Sequence, residues 1–174
     1  MKIFSNDILT DGYLDKKFGS NTQENDTKIK NMVAKSFHVG WEDLPDNTKS
    51  IAIIFEDHDA IPVCGFTWIH WTACNIDPSL NELPDNASLA LKNKFIQGVN
   101  SYGSPLLGEN QIVHNGYGGC APPNDDHNYT LSVYALDTML DLKNGFFKNE
   151  LLFAMHGHIL DRKIINIKYK KLIV

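Results

Sequence analysis

The chain has 174 residues, of which 43% are hydrophobic and 21% charged, and its formal net charge is -5. One domain spanning 1–174 is expected, because a chain of this size buries about two-thirds of its unfolded surface around a single core. The acidic balance excludes a general nucleic-acid or anionic-membrane surface, and no run approaches the ~20 apolar residues of a membrane-spanning helix.

The N-terminal MKIFSNDILTDGYL lacks the continuous apolar segment of a signal peptide, which points to a cytoplasmic protein. Asp15 to Asn31 is polar and reads as a surface loop, with little apolar material to offset the entropy of ordering. Ser50 to Phe55 (SIAIIF) suits a strand covered on both faces, and Thr67 to Ile76 suits a second, rich in aromatic and β-branched residues. Period-2 alternation there puts His70 on the face of Trp68, Thr72 and Cys74.

Ala87 to Phe95 is compatible with a short helix. Tyr129 to Ala135 alternates Tyr, Leu, Val and Ala with Thr, Ser and Tyr, the pattern of a half-buried strand. Phe147 to His156 is the best helix, with Leu151, Leu152 and Met155 on one stripe and Gly157 placed to end it. Ile159 to Tyr169 forms a last strand before a basic tail. Several strands parted by Gly, Pro, Asn and Asp turns indicate a mainly β fold. The expected form is an antiparallel two-sheet β-sandwich with a few peripheral helices.

Three cysteines, Cys64, Cys74 and Cys120, leave at least one unpaired and offer no C-x-x-C spacing. Free thiols suit a reducing compartment, and all three read as small buried hydrophobes.

Two distant segments carry the chemistry. In one, Asp57, His58 and Asp59 close an apolar run and His70 lies in the next; in the other, Pro122-Pro123 precede His127 and Tyr129. If the strands pair, these groups meet at one rim. His70, His127 and Tyr129 can donate to a small anion, while Pro122 and Pro123 stiffen the loop so that Ala121 presents its backbone. Asp57 makes sense beside an anion if it orients an imidazole and favours its charged form. Asp59 is a turn former or a further contact, His58 a solvent-facing loop residue, and His114, His156 and His158 structural or surface groups.

The sequence resembles the phosphatidylethanolamine-binding protein family, in its bacterial Raf-kinase-inhibitor-like branch. The likeness rests on D-x-D-A at Asp57 to Ala60, G-x-x-W-x-H-W at Gly65 to Trp71, and G-G-x-x-P-P with H-x-Y at Gly118 to Tyr129. QGVNSYGSP, VYALD and ELLFAMHGHIL extend it over roughly two-thirds of the chain. His58 replaces a proline and Asn128 an arginine of many members, and Asn31 to Trp41 lacks the usual Ser-Pro-x-Leu. The resemblance implies the two-sheet architecture and a ligand site of Asp57, Asp59, His70, Ala121, Pro122, His127 and Tyr129. It also implies phospholipid-headgroup-like ligands, a homodimer, and, from eukaryotic relatives, an effect on partner proteins that one sequence does not identify.

The expectation is therefore a non-enzymatic binding protein for a small anionic or phosphorylated ligand, with no cofactor and no metal. The alternative is a metal-dependent hydrolase using Asp57, His58, Asp59, His70 and His127, residue types that suit zinc or iron but lack compact ligand spacing. No G-x-S-x-G elbow supports a nucleophilic hydrolase.

Overall fold

The computed structural model describes residues 1–25 and 27–172. In chain order its strands are β1 (Lys2–Phe4), β2 (Lys28–Ile29), β3 (Met32–Val33), β4 (Val39–Glu42), β5 (Ser50–Asp57), β6 (Trp68–Ile76), β7 (Glu82–Leu83), β8 (Ile96–Gln97), β9 (His127–Leu136) and β10 (Ile159–Tyr169). Among the described residues three α-helices accompany them: α1 (Ile61–Cys64), α2 (Ala87–Ala90) and α3 (Lys148–Met155). The main sheet runs β10-β9-β5-β6-β8, antiparallel throughout, and a smaller sheet runs β1-β4-β7. This is the expected mainly β, two-sheet arrangement.

The central strand β5 explains how the layers hold together. Its eight residues are all buried. Ile51, Ile53 and Phe55 pack with Val39 and Trp41 of β4, Leu83 of β7, and Leu131 and Val133 of β9, closing one sheet on the other. Ala52 and Ile54 point to the opposite face, where they meet Leu136, Leu140, Phe146, Leu151 and Met155. A strand covered on both faces reads as a continuous apolar run, which is how SIAIIF reads.

Strand β9 differs from the half-buried pattern. Tyr134 and Leu136 are buried beneath α3 and the segment before it, so the second half of the strand is covered on both sides. The helix begins where the Phe147 N–H donates to the Glu150 carboxylate at 2.7 Å, satisfying one of the free amides of a helix start. Leu151 and Met155, four residues apart, fill the core stripe, and each contributes on the order of 1.5–3 kcal/mol by burial. Leu152, one residue further round the helix, is 45% exposed and lies outside that stripe. Gly157 then takes φ 82° just past the end, a left-handed turn that glycine adopts without strain. The helix expected over Ala87 to Phe95 is only the single turn α2.

The polar stretch Asp15 to Asn31 is more ordered than its composition suggests. Phe18 is fully buried, edge-on to Phe37 at 6.3 Å, and β2 pairs with β3 in a short hairpin. One aromatic ring is enough to anchor the segment. Among the described residues, no helix is long and apolar enough to cross a membrane.

Candidate functional site

Asp57 ends β5, His127 opens β9 and Trp68 opens β6, and antiparallel pairing sets these ends side by side. Asp57 is in register with Trp68 on one flank and Tyr129 on the other. A cavity of about 220 Å³ opens there, lined by Asp57, Ala60, Val63, Cys64, Trp68, His70, Tyr102, Ala121, Pro123 and His127.

His70 reaches the cavity through a β-bulge. Phe55 pairs with Trp71 and Glu56 with Ile69, so His70 has no partner across the ladder and the alternation of β6 slips at that point. An extra residue of this kind re-aims its side chain. The His70 ring consequently packs against Phe55 at 5.8 Å and Tyr129 at 5.1 Å, within the sandwich. Cys74, by contrast, packs on the α3 side of the sheet. The single face expected for Trp68, His70, Thr72 and Cys74 is thus divided by the bulge.

Gly118 fixes His70 twice. Its N–H donates to the His70 carbonyl at 2.7 Å, and its carbonyl faces His70 Nδ1 at 2.7 Å. Burial pulls the pKa of His70 down to about 4, against smaller opposing contributions from the Gly118 carbonyl and the Asp57 charge. The ring is therefore neutral at physiological pH.

His127 is held from both ends. Nδ1 donates to Asp57 Oδ2 at 2.8 Å, and Nε2 lies 2.9 Å from Asn124 Oδ1. Asp57 Oδ1 accepts the Ala60 N–H at 3.2 Å, so the same carboxylate organises the start of α1. Both Asp57 and His127 are nearly inaccessible, at 4% and 2% exposure. A buried charge with a charge-assisted bond and a backbone donor meets the conditions under which burial is tolerated.

The other expected residues divide. Ala121 lines the cavity, but Pro122 is buried behind it and Pro123 forms the wall instead. Tyr129 lies beneath the site, stacked on Phe55 at 5.5 Å, with a buried hydroxyl that meets no partner of hydrogen-bond geometry among the described residues. Burial raises its pKa, with the Cys120 thiol adding to the effect. Asp59 faces outward and clasps Asn128, accepting its backbone N–H at 2.8 Å and its side-chain amide at 3.1 Å. That backbone bond lowers the pKa of Asp59. Asn128, standing in the arginine position, thus keeps a polar link to Asp59.

His58 is exposed and turned to Thr67 and Glu56. Of the five residues of the hydrolase alternative, Asp57, His70 and His127 line the cavity, while His58 and Asp59 turn away from it. Among the described residues, no group of three or more His, Cys, Asp or Glu could hold a metal ion.

Tyr102, Trp68, Val63 and Ala60 join the wall beyond the residues expected there, although Ala60, Trp68 and Tyr102 lie within the motifs D-x-D-A, G-x-x-W-x-H-W and QGVNSYGSP. Tyr102 comes from a short 3-10 turn, stands edge-on to Trp68 at 5.3 Å, and donates its hydroxyl to the Gly119 carbonyl at 2.7 Å. Cys64, expected to be buried, is exposed at the cavity, whereas Cys74 and Cys120 are buried. A larger groove of about 510 Å³ lies elsewhere, between residues 99–105 and the start of α3. Volume favours the groove, but the small cavity gathers the imidazoles and the buried carboxylate, and convergent polar groups in an apolar wall mark a binding site better than size.

The family model for phosphatidylethanolamine-binding protein matches residues 4–170. The chain belongs to the phosphatidylethanolamine-binding protein family. YxkA of Bacillus subtilis is 50% identical over 134 residues, covering 76% of this chain and 79% of that protein. A UPF0098 protein of Methanothermobacter thermautotrophicus is 36% identical, covering 74% and 79% respectively. Among solved structures, a phosphatidylethanolamine-binding protein homolog from Chlamydia trachomatis superposes with a TM-score of 0.77 at 28% identity, over 98% of this chain and 97% of that one. E. coli YbcL shares the fold, with a TM-score of 0.76 at 24% identity over 98% of each chain.

Proposed function

We propose that the cavity binds a small anionic group of the size of a phosphate monoester, and that the protein acts by binding without catalysing a reaction. The observation that carries this reading is the buried Asp57–His127 pair. Asp57 fixes the ring so that Nε2 is turned away from the carboxylate and toward Asn124. An anion oxygen that replaces the Asn124 amide there would meet a ring whose orientation the Asp57 bond fixes. The apolar wall of Ala60, Val63, Trp68 and Pro123 suits a short organic substituent on the anion. A volume near 220 Å³ leaves room for a headgroup and not for an acyl chain.

The test is calorimetric titration of methyl phosphate into the parent and His127→Ala proteins. Measurable affinity in the parent, lost or cut at least about tenfold in the variant, is expected from removal of one charge-assisted bond. Equal affinity in both would remove His127 from the site, and no heat or shift in either would remove the anion reading.

A further inference from the structure

His70 faces the cavity as a hydrogen-bond acceptor. The Gly118 carbonyl, 2.7 Å from Nδ1, can only accept, so Nδ1 carries the proton of the neutral ring and Nε2 keeps its lone pair. The reciprocal bond from the Gly118 N–H to the His70 carbonyl makes this arrangement costly to reverse, since the loop cannot turn without breaking both links. Among the described residues the Nδ1–Gly118 contact is the one ring bond of full hydrogen-bond geometry, with the Gly119 backbone also near the ring, and the ring lines the cavity while being only 2% exposed. Among the described residues, no lysine or arginine lines the same cavity.

A second proton does not come readily to this ring. Burial lowers its pKa to about 4, and the neighbouring His127 adds to the effect. The titratable groups facing it are Asp57 from β5, Tyr129 and His127 from β9, Tyr102 from its 3-10 turn, and Cys64 from α1. Of these only Asp57 favours a charged imidazole, and its carboxylate is already engaged by His127 and the Ala60 N–H.

We infer that the cavity, if it binds oxyanions as proposed above, selects those that retain an acidic O–H, because His70 Nε2 requires a donor from the ligand. The hydroxyl of a phosphate-monoester monoanion would donate to His70 Nε2 while a charged oxygen of the same group meets His127. An anion with no proton would set its oxygen lone pairs against that of Nε2, leaving a buried acceptor unpaired. The binding protein thereby separates protonated from fully ionised tetrahedral anions, as a site built around a ligand's hydrogen-bond pattern does.

Methyl phosphate and methyl sulfate test this directly. At pH about 5 the phosphate ester, whose second ionisation lies near 6, is mostly a monoanion, so the two probes have the same charge and similar shape and differ by one proton. Methyl phosphate is expected to bind at least about tenfold more tightly, the effect of one unpaired buried acceptor. In the complex, 15N NMR of the histidine rings should show His70 Nε2 without a proton. Equal affinity for the two probes, or a doubly protonated His70 in the methyl phosphate complex, would overturn this inference while leaving anion binding intact. Binding of neither probe would overturn the anion reading and this inference with it.

Discussion

His127 Nδ1 lies 2.8 Å from Asp57 Oδ2, joining the first residue of β9 to the last residue of β5. Because Asp57 Oδ1 also accepts the Ala60 N–H, one carboxylate ties two strands and a helix start into the wall of the cavity. Asp57→Ala should therefore destabilise the fold by about 2–4 kcal/mol, since it leaves a buried imidazole N–H and a backbone N–H unpaired. Asp57→Asn, which keeps the shape and can still accept a hydrogen bond, should cost less. Urea unfolding of the three proteins measures this, and a difference below about 0.5 kcal/mol between parent and Asp57→Ala would show the pair to be energetically idle.

Acid should weaken the protein through His70. Its pKa is about 4 in the fold against a reference of 6.5. Between those values the unfolded chain binds more protons, so stability falls as pH drops from about 7 to about 4, by roughly 3 kcal/mol from this group alone. His70→Gln should flatten that part of the pH–stability curve. Equal slopes in parent and variant would mean that other groups carry the acid response.

Gly118→Ala should close the cavity without touching its imidazoles. A Cβ at Gly118 would lie 2.7 Å from Tyr102 Cδ2 and 3.1 Å from Met32 Sδ, so the Tyr102 ring must move, and that ring is a wall of the site. Such overpacking costs about 1–3 kcal/mol. The expected result is a folded variant with methyl phosphate affinity reduced several-fold, read by calorimetry beside a circular-dichroism melt. Undiminished affinity would show that Tyr102 does not shape the bound state.

The thiols should react selectively. Cys64 is exposed beside the cavity, whereas Cys74 is buried with its pKa pushed up to about 12 by burial, and burial likewise raises Cys120. Alkylation of native protein should label Cys64 alone, and all three after denaturation, because the reactive species is an accessible thiolate. Mass spectrometry of peptides from native protein would contradict the packing if Cys74 or Cys120 were modified at a comparable rate.

Much of the fold can be read from local pattern. The unbroken apolar run of β5, the period of β9 and the amphipathic spacing of Leu151 and Met155 follow from side chains that must leave water at intervals of two or four residues. The motifs around Asp57, His70 and His127 marked one end of the sheet as the candidate site, and antiparallel pairing of Asp57 with Trp68 and Tyr129 brings those residues together. Other decisions belong to long-range contacts. Whether the second face of β9 is buried depends on where α3 lands, and whether Phe18 anchors a polar loop depends on Phe37. A one-residue bulge places the His70 ring inside the sandwich, against the alternation that sequence alone implies. Its protonation was set by distance as well: a carbonyl 48 residues away in the chain fixes the tautomer, and burial among Phe55 and Tyr129 keeps the ring neutral. Residue type determined that an imidazole stands at position 70, and only the tertiary structure determined that its Nδ1 is committed to the Gly118 carbonyl and that the ring stays neutral, because desolvation and hydrogen bonding act through space.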